Sequence, residues 1–133
     1  MKHDWSDTSI PWLETDHIQV AVCNKLRSHP EYRRSFDFAA RFNEGKKSKF
    51  LAMLHKLAGL VPGEADLQIY LTKGRVIHVE LKGPNTAVRQ CQLDRHKELR
   101  TLDHDVYLVR ATCPQDGVDQ VLAILGGYLM DAQ

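Results

Sequence analysis

Asp66, Glu80 and Lys82 are the residues of this chain whose types and spacing suggest chemistry. They lie in the stretch PGEADLQIYLTKGRVIHVELKGPNTAVRQCQ, from Pro62 to Gln92. From Asp66 to Thr72 the apolar residues Leu67, Ile69 and Leu71 alternate with Asp66, Gln68 and Tyr70. From Arg75 to Lys82, Ile77, Val79 and Leu81 alternate with His78, Glu80 and Lys82. Both runs have the period-two pattern of strands joined by a turn. A two-residue Lys73-Gly74 loop would set Asp66 opposite Leu81, pairing a charge with a buried leucine. A three-residue Thr72-Lys73-Gly74 loop, with Gly74 left-handed, pairs Leu67 with Val79 and Ile69 with Ile77. That register places Asp66 across from Glu80.

Directly opposed residues have Cβ atoms about 4.5–5.5 Å apart, and like charges held there repel. A hard divalent cation with oxygen ligands at about 2.0–2.1 Å, such as Mg²⁺, relieves that repulsion. Lys82 shares the face of Glu80, where it can orient or deprotonate a water or neutralise charge on a phosphate. The set therefore has the logic of metal-assisted phosphodiester hydrolysis. A lone Glu-x-Lys on a strand more often means a solvated face with a cross-strand ion pair; the opposing carboxylate is what argues otherwise.

The elements that must position these residues read as follows. Residues 1–13 are polar with two tryptophans, and form an expected irregular arm. Ile18, Ala21, Val22 and Leu26 recur at helical spacing between Asp16 and Ser28, and His29-Pro30 ends that helix. Tyr32 to Phe42 fits either a short helix or a strand. In the next segment Leu51, Leu54, Leu57 and Ala58 make an apolar stripe, with Gly59 and Pro62 as stop signals. Beyond the hairpin, Val88 to Leu102 reads as a helix with Val88, Leu93, Leu99 and Leu102 inward. Asp105 to Ala111 reads as a short buried strand, and Asp116 to Leu129 as an amphipathic helix carrying Val118, Val121, Leu122, Leu125 and Leu129 on one side. This order indicates an α/β fold with a single sheet and helices packed on it.

The 133 residues suit one domain, and 43% apolar with 26% charged is ordinary globular composition. A net charge of +1 says little as a total. The three cysteines form no CxxC pair and the seven histidines no HxxxH or HExxH, which disfavours a disulfide framework and a zinc site. No apolar run approaches the roughly 20 residues of a membrane helix, and the N-terminus shows no apolar signal segment. A cytoplasmic, reducing setting without membrane association is the expectation, with Cys23, Cys91 and Cys113 as small buried apolar residues.

The ordered motifs resemble the VRR-NUC family of the PD-(D/E)xK nuclease superfamily. They are Pro62-Gly63-Glu64-Ala65-Asp66, Glu80-Leu81-Lys82, and Gln92 after the intervening Gly83-Pro84-Asn85. Asn43-Glu44-Gly45-Lys46-Lys47 is similar to a segment of the family's phage members, and the likeness runs from about Asn43 to Leu125. The resemblance implies a restriction-endonuclease-like core with a mixed sheet, an antiparallel hairpin and flanking helices. It implies Asp66 and Glu80 as ligands of Mg²⁺ or Mn²⁺, the Leu81 carbonyl as a further ligand, and Lys82 as the catalytic lysine. Gln92 would help position the water or the scissile phosphate. The family also uses an acid from its first helix; Glu14 is the choice here, with Asp16 as competitor. The sequence departs from the pattern at Ala65, at Arg89 where a small serine is common, and at Asp103 where a glycine usually precedes the last strand.

Stand-alone members are similar to phage enzymes that act as dimers on four-way DNA junctions. The expectation is therefore a homodimeric endonuclease acting on branched DNA, in a bacterial host's cytoplasm. The alternatives are cutting of flaps, nicks or duplex, a non-catalytic DNA-binding protein retaining the fold, and a small-molecule hydrolase. Lys46, Lys47 and Lys49, with Arg33, Arg34 and Arg41 upstream, form a candidate phosphate-binding surface, and Arg89 a candidate DNA contact. His96 is expected at the polar rim rather than as a proton shuttle, and His78 on the solvent side. Trp5, Trp12, Phe36, Phe38 and Phe42 fit either a dimer interface or the core.

Overall fold

The computed structural model describes residues 14–41 and 48–131. The order is α1 (Glu14–Arg27), β1 (Phe36–Ala40), α2 (Lys49–Leu57), β2 (Leu67–Leu71), β3 (Val76–Lys82), α3 (Gln90–Thr101), β4 (Asp105–Arg110) and α4 (Pro114–Asp131). The strands form one mixed sheet in the order β1-β2-β3-β4. β1 and β3 flank β2 antiparallel, and β4 runs parallel to β3. A parallel pair needs a crossover, and α3 supplies it.

The hairpin register is the one the alternation demands. Leu67 pairs with Val79 and Ile69 with Ile77, across a Thr72–Gly74 turn. Gly74 is left-handed at φ 73°, and Lys73 at φ 63°. The segment left undecided between helix and strand is β1, whose Phe36 is buried with Phe38 packed on the core.

One face of the sheet carries Leu67, Ile69, Ile77, Val79, Leu81 and Val109, all buried against Ile18, Val22 and Leu26 of α1 and Val121 and Leu125 of α4. The α4 face is as its spacing predicts. Cys23 and Cys113 are buried, while Cys91 is half-buried. α3 covers the opposite face.

Three expectations need correction. Leu93 and Leu102 do not face inward: they are 49% and 67% exposed. The buried residues of α3 are Gln92, His96 and Leu99. β4 is a sheet edge rather than a wholly buried strand, with Val106 and Val109 buried and Leu108 exposed. The Leu51, Leu54 and Leu57 stripe of α2 stays exposed, and α2 has no buried residue. Trp5, Trp12, Phe42, Asn43, Lys46 and Lys47 lie outside the described residues. Within those residues no helix is long and apolar enough to cross a membrane.

Candidate active site

β3 is buried on both sides, and its even-numbered residues His78, Glu80 and Lys82 lie beneath α3. This is not a solvated strand face. Glu80 is 1% exposed, yet its carboxylate is surrounded by polar groups. Gln92 Nε2 donates to Glu80 Oε1 at 2.6 Å, and Lys82 Nζ lies 3.7 Å from the same oxygen. Gln92 Oε1 in turn accepts from the Arg89 backbone N–H at 2.9 Å. Arg89 is the N-cap of α3, and a guanidinium has no acceptor for the helix's free N–H groups. Gln92 thus secures the helix start with one end and Glu80 with the other.

Asp66 directly precedes β2, so the Leu67–Val79 pairing extends to bring it opposite Glu80. Its Oδ2 accepts from Leu81 N at 2.8 Å, and its backbone carbonyl from Arg41 N at 2.8 Å. Unlike Glu80, Lys82 and Gln92 it is only half-buried, and so forms the site's opening to the surface.

Two ties hold the loop before Asp66 to α3. Gly63 is left-handed at φ 84°, and a Cβ there would stand 2.2 Å from the Cys91 carbonyl oxygen. Only glycine permits that approach and that backbone conformation together. Next to it, Glu64 pairs with Arg95 of α3. The Pro-Gly motif therefore has a physical purpose: it presses the Asp66 loop against the turn that carries Gln92. Ala65, the departure from the pattern, is fully buried. Asp103 adopts φ 64°, the left-handed geometry that explains a glycine preference there and that aspartate tolerates.

The electrostatics follow from burial. Loss of solvent, then the Asp66 charge beside it, pushes the Glu80 carboxyl up from 4.5 to about 8. Burial also raises Asp66, against the pull of the Leu81 N–H. The pair resists carrying two negative charges unless a cation joins it. Glu80 Oε2 has no hydrogen-bond partner among the described residues. A buried unsatisfied acceptor costs about 1–3 kcal/mol, so it calls for an explanation.

Both histidine expectations are overturned. His96 is 3% exposed, with Nε2 3.8 Å from Glu80 Oε2, and is no rim residue. His78 is 7% exposed and sets its ring edge-on to His104 at 5.2 Å, away from solvent. Burial lowers the pKa of each, favouring the neutral ring. The reason is α3: its buried face is polar, so both rings are covered.

The first-helix acid is not resolved between its candidates. Glu14 opens α1, but its side chain lies outside the described residues, and Asp16 is exposed. α1 does reach the site through a residue that sequence reasoning passed over. Gln19 is 3% exposed and donates to the Arg41 carbonyl at 2.7 Å, while Arg41 N bonds the Asp66 carbonyl. A glutamine inside an apolar helical stripe was the available signal. Arg110 was also missed; it donates to the Gly83 and Thr86 carbonyls at 2.8 Å each, fixing the loop between Lys82 and α3. Of the candidate DNA contacts, Lys49 and Arg89 are exposed, and the Arg89 charge acts on Asp66 and Glu80.

The arrangement is an α/β mixed sheet with a buried carboxylate-lysine-glutamine set at the end of a hairpin. Two solved structures are similar to this chain in fold. One, described as a VRR_NUC domain, is 19% identical; the match covers 88% of this chain and 99% of the other, with a TM-score of 0.53. A second, a VRR_NUC domain protein, is also 19% identical, with 91% and 92% covered and a TM-score of 0.57. The chain therefore has the fold of these VRR_NUC domain structures, in keeping with the family its motifs resemble. No protein-family model matches the chain, and no curated protein does.

Proposed function

We propose that this chain is a divalent-metal-dependent DNA endonuclease that hydrolyses phosphodiester bonds. The observation that carries this reading is Glu80: a buried carboxylate opposite Asp66, fixed on one oxygen by Gln92 and left unpartnered on the other. Such a donor set fits Mg²⁺ or Mn²⁺. These ions bind through one or two carboxylates and keep waters, so two acids and the Leu81 carbonyl suffice. No group of three or more His, Cys, Asp or Glu side chains that could hold a metal occurs among the described residues, which disfavours an all-side-chain zinc cage.

Bound there, the cation supplies Lewis-acid chemistry, making water more acidic and neutralising charge on the scissile phosphate. The chain's own residues do the rest. Asp66 and Glu80 would hold the cation, and Asp66 is steadied by the Leu81 N–H. Gln92 keeps Glu80 from rotating away. Lys82 places its ammonium beside Glu80, where it orients the attacking water or balances the charge that builds on the phosphate in the transition state. Arg89 at the start of α3 and Lys49 on α2 offer exposed cations for the flanking DNA backbone, with Lys46 and Lys47 proposed alongside them.

For the substrate we favour four-way junctions, on the analogy with phage members of the family the sequence resembles. Two symmetric incisions call for two sites, hence a homodimer. α2, with Phe50, Met53 and Leu57 exposed, is the apolar surface such a dimer would cover. The test is incubation with a junction, a flap and a linear duplex in Mg²⁺, Mn²⁺ or EDTA, beside Asp66→Asn and Lys82→Ala. Cleavage confined to metal and to the unsubstituted chain supports the mechanism; cleavage surviving EDTA or Asp66→Asn defeats it. Equal cutting of all three DNAs removes the junction preference alone.

A further inference from the structure

The polar face holds donors that the proposed chemistry does not use, and His96 is the one set against Glu80. His96 follows Gln92 by one turn of α3, so both side chains leave the helix on the same side. Its Nε2 stands 3.8 Å from Glu80 Oε2, and neither atom has a hydrogen-bond partner among the described residues. The two atoms face each other across the buried polar layer. The separation exceeds a hydrogen bond of about 2.9–3.0 Å by less than an ångström, a gap that a small ring rotation closes.

The bond from Gln92 fixes Oε1 of Glu80 and leaves Oε2 without a donor among the described residues. A second contact, on Oε2, would hold the carboxylate at both oxygens. We propose that His96 is a positioning residue of this site, directing Nε2–H at Glu80 Oε2. Gln92 and His96 then grip the carboxylate at both oxygens from consecutive turns of one helix. The remaining lone pairs of Glu80 are thereby held toward Asp66. Partners of this kind, standing behind a metal ligand, govern metal affinity as well as ligand orientation. The inference rests on the metal-site reading above, and goes beyond it in assigning a residue which that reading leaves idle.

The test uses the full chain and two variants. His96→Leu keeps the apolar bulk and removes the donor; His96→Gln replaces it with an amide N–H of similar reach. Mn²⁺ affinity is measured by calorimetry, and folding by the denaturation midpoint. The expected result is a loss of about 10- to 100-fold in Mn²⁺ affinity in His96→Leu, with most of it restored in His96→Gln. Equal Mn²⁺ affinity in all three proteins would overturn the proposal, leaving His96 as packing. So would a nitrogen hyperfine signal on bound Mn²⁺ that vanishes in both variants, because His96 would then be a ligand itself. A metal-free arm keeps the two readings separate. Imidazole ¹⁵N shifts should show His96 as the Nε2–H tautomer, displaced in Glu80→Gln. An Nδ1–H tautomer indifferent to Glu80→Gln overturns the contact, whereas a wild-type protein that binds no Mn²⁺ but shows the coupled tautomer defeats only the metal site.

Discussion

Strand β3 buries both of its faces, and they are made of opposite materials. On one side Ile77, Val79 and Leu81 are wholly enclosed by aliphatic side chains of α1, α4 and the neighbouring strands. On the other, His78, Glu80 and Lys82 meet Gln92 and His96. The first face is satisfied by contact alone, each buried aliphatic contributing about 1.5–3 kcal/mol. The second is not. The buried side-chain atoms without hydrogen-bond partners among the described residues are both nitrogens of His78, Glu80 Oε2 and His96 Nε2. All belong to this face. A fold stabilised on one side of a strand can hold an unsatisfied polar site on the other, and such violations concentrate where function lies.

The sharpest way to break that comparison is to substitute one acid. Asp66→Asn should leave the fold intact while reducing metal-dependent cleavage by about 10³-fold, the equivalent of roughly 4 kcal/mol of lost transition-state stabilisation. Single-turnover cleavage and circular dichroism measure the two effects. An equally large loss of stability would show that the polar face also holds the fold together.

The reciprocal change is Ile77→Ala, on the apolar face of the same strand. Deleting a fully enclosed aliphatic side chain costs about 2–5 kcal/mol. Urea denaturation should register that loss, and cleavage by the molecules still folded should change little.

The same two faces explain what the sequence made legible. Wherever burial is apolar, period and residue type agree, so the hairpin register, α1 and α4 were readable from Leu67, Ile69, Ile77 and Val79 and from the Val118, Val121 and Leu125 stripe. α3 was misread because the rule seeking apolar residues chose Leu93 and Leu102, while the strand beneath it asks for polar partners. Asp66, Glu80 and Lys82 were singled out by type and spacing, and Gln92 by the resemblance to the VRR-NUC family. His96 on α3 and His78 on β3 were placed outside because a histidine on the polar side of its element has no inward signal until the element packed over it is known. Gln19 and Arg110 act through carbonyls of Arg41, Gly83 and Thr86, contacts that no side-chain pattern encodes.

pH separates the faces by sign. In the metal-free protein the Glu80 carboxyl is raised from 4.5 to about 8, and Asp66 moves in the same direction. Between those values the folded chain keeps a proton that the unfolded chain has released. This contribution is therefore fully present below 4.5, declines as pH rises, and levels off above about 8. Urea titrations across that range should show the decline, and Glu80→Gln should flatten it. Mg²⁺ should restore more stability at the alkaline end, where no proton has to be displaced.

The smallest change tests Arg89, where the helix start and the DNA surface compete for one position. A serine there can accept from the free N–H groups of α3, which arginine cannot do, and should stabilise the chain by about 1 kcal/mol. It also removes an exposed cation near the two acids, a charge now acting on both Asp66 and Glu80. If Arg89 contacts a phosphate, Arg89→Ser should weaken DNA binding about uniformly across sequences and reduce the salt slope by about one. Thermal denaturation and binding at several salt concentrations read the two consequences separately. A more stable protein with an unchanged salt slope would remove Arg89 from the DNA interface, and leave the N-cap arginine as a local cost without a compensating contact.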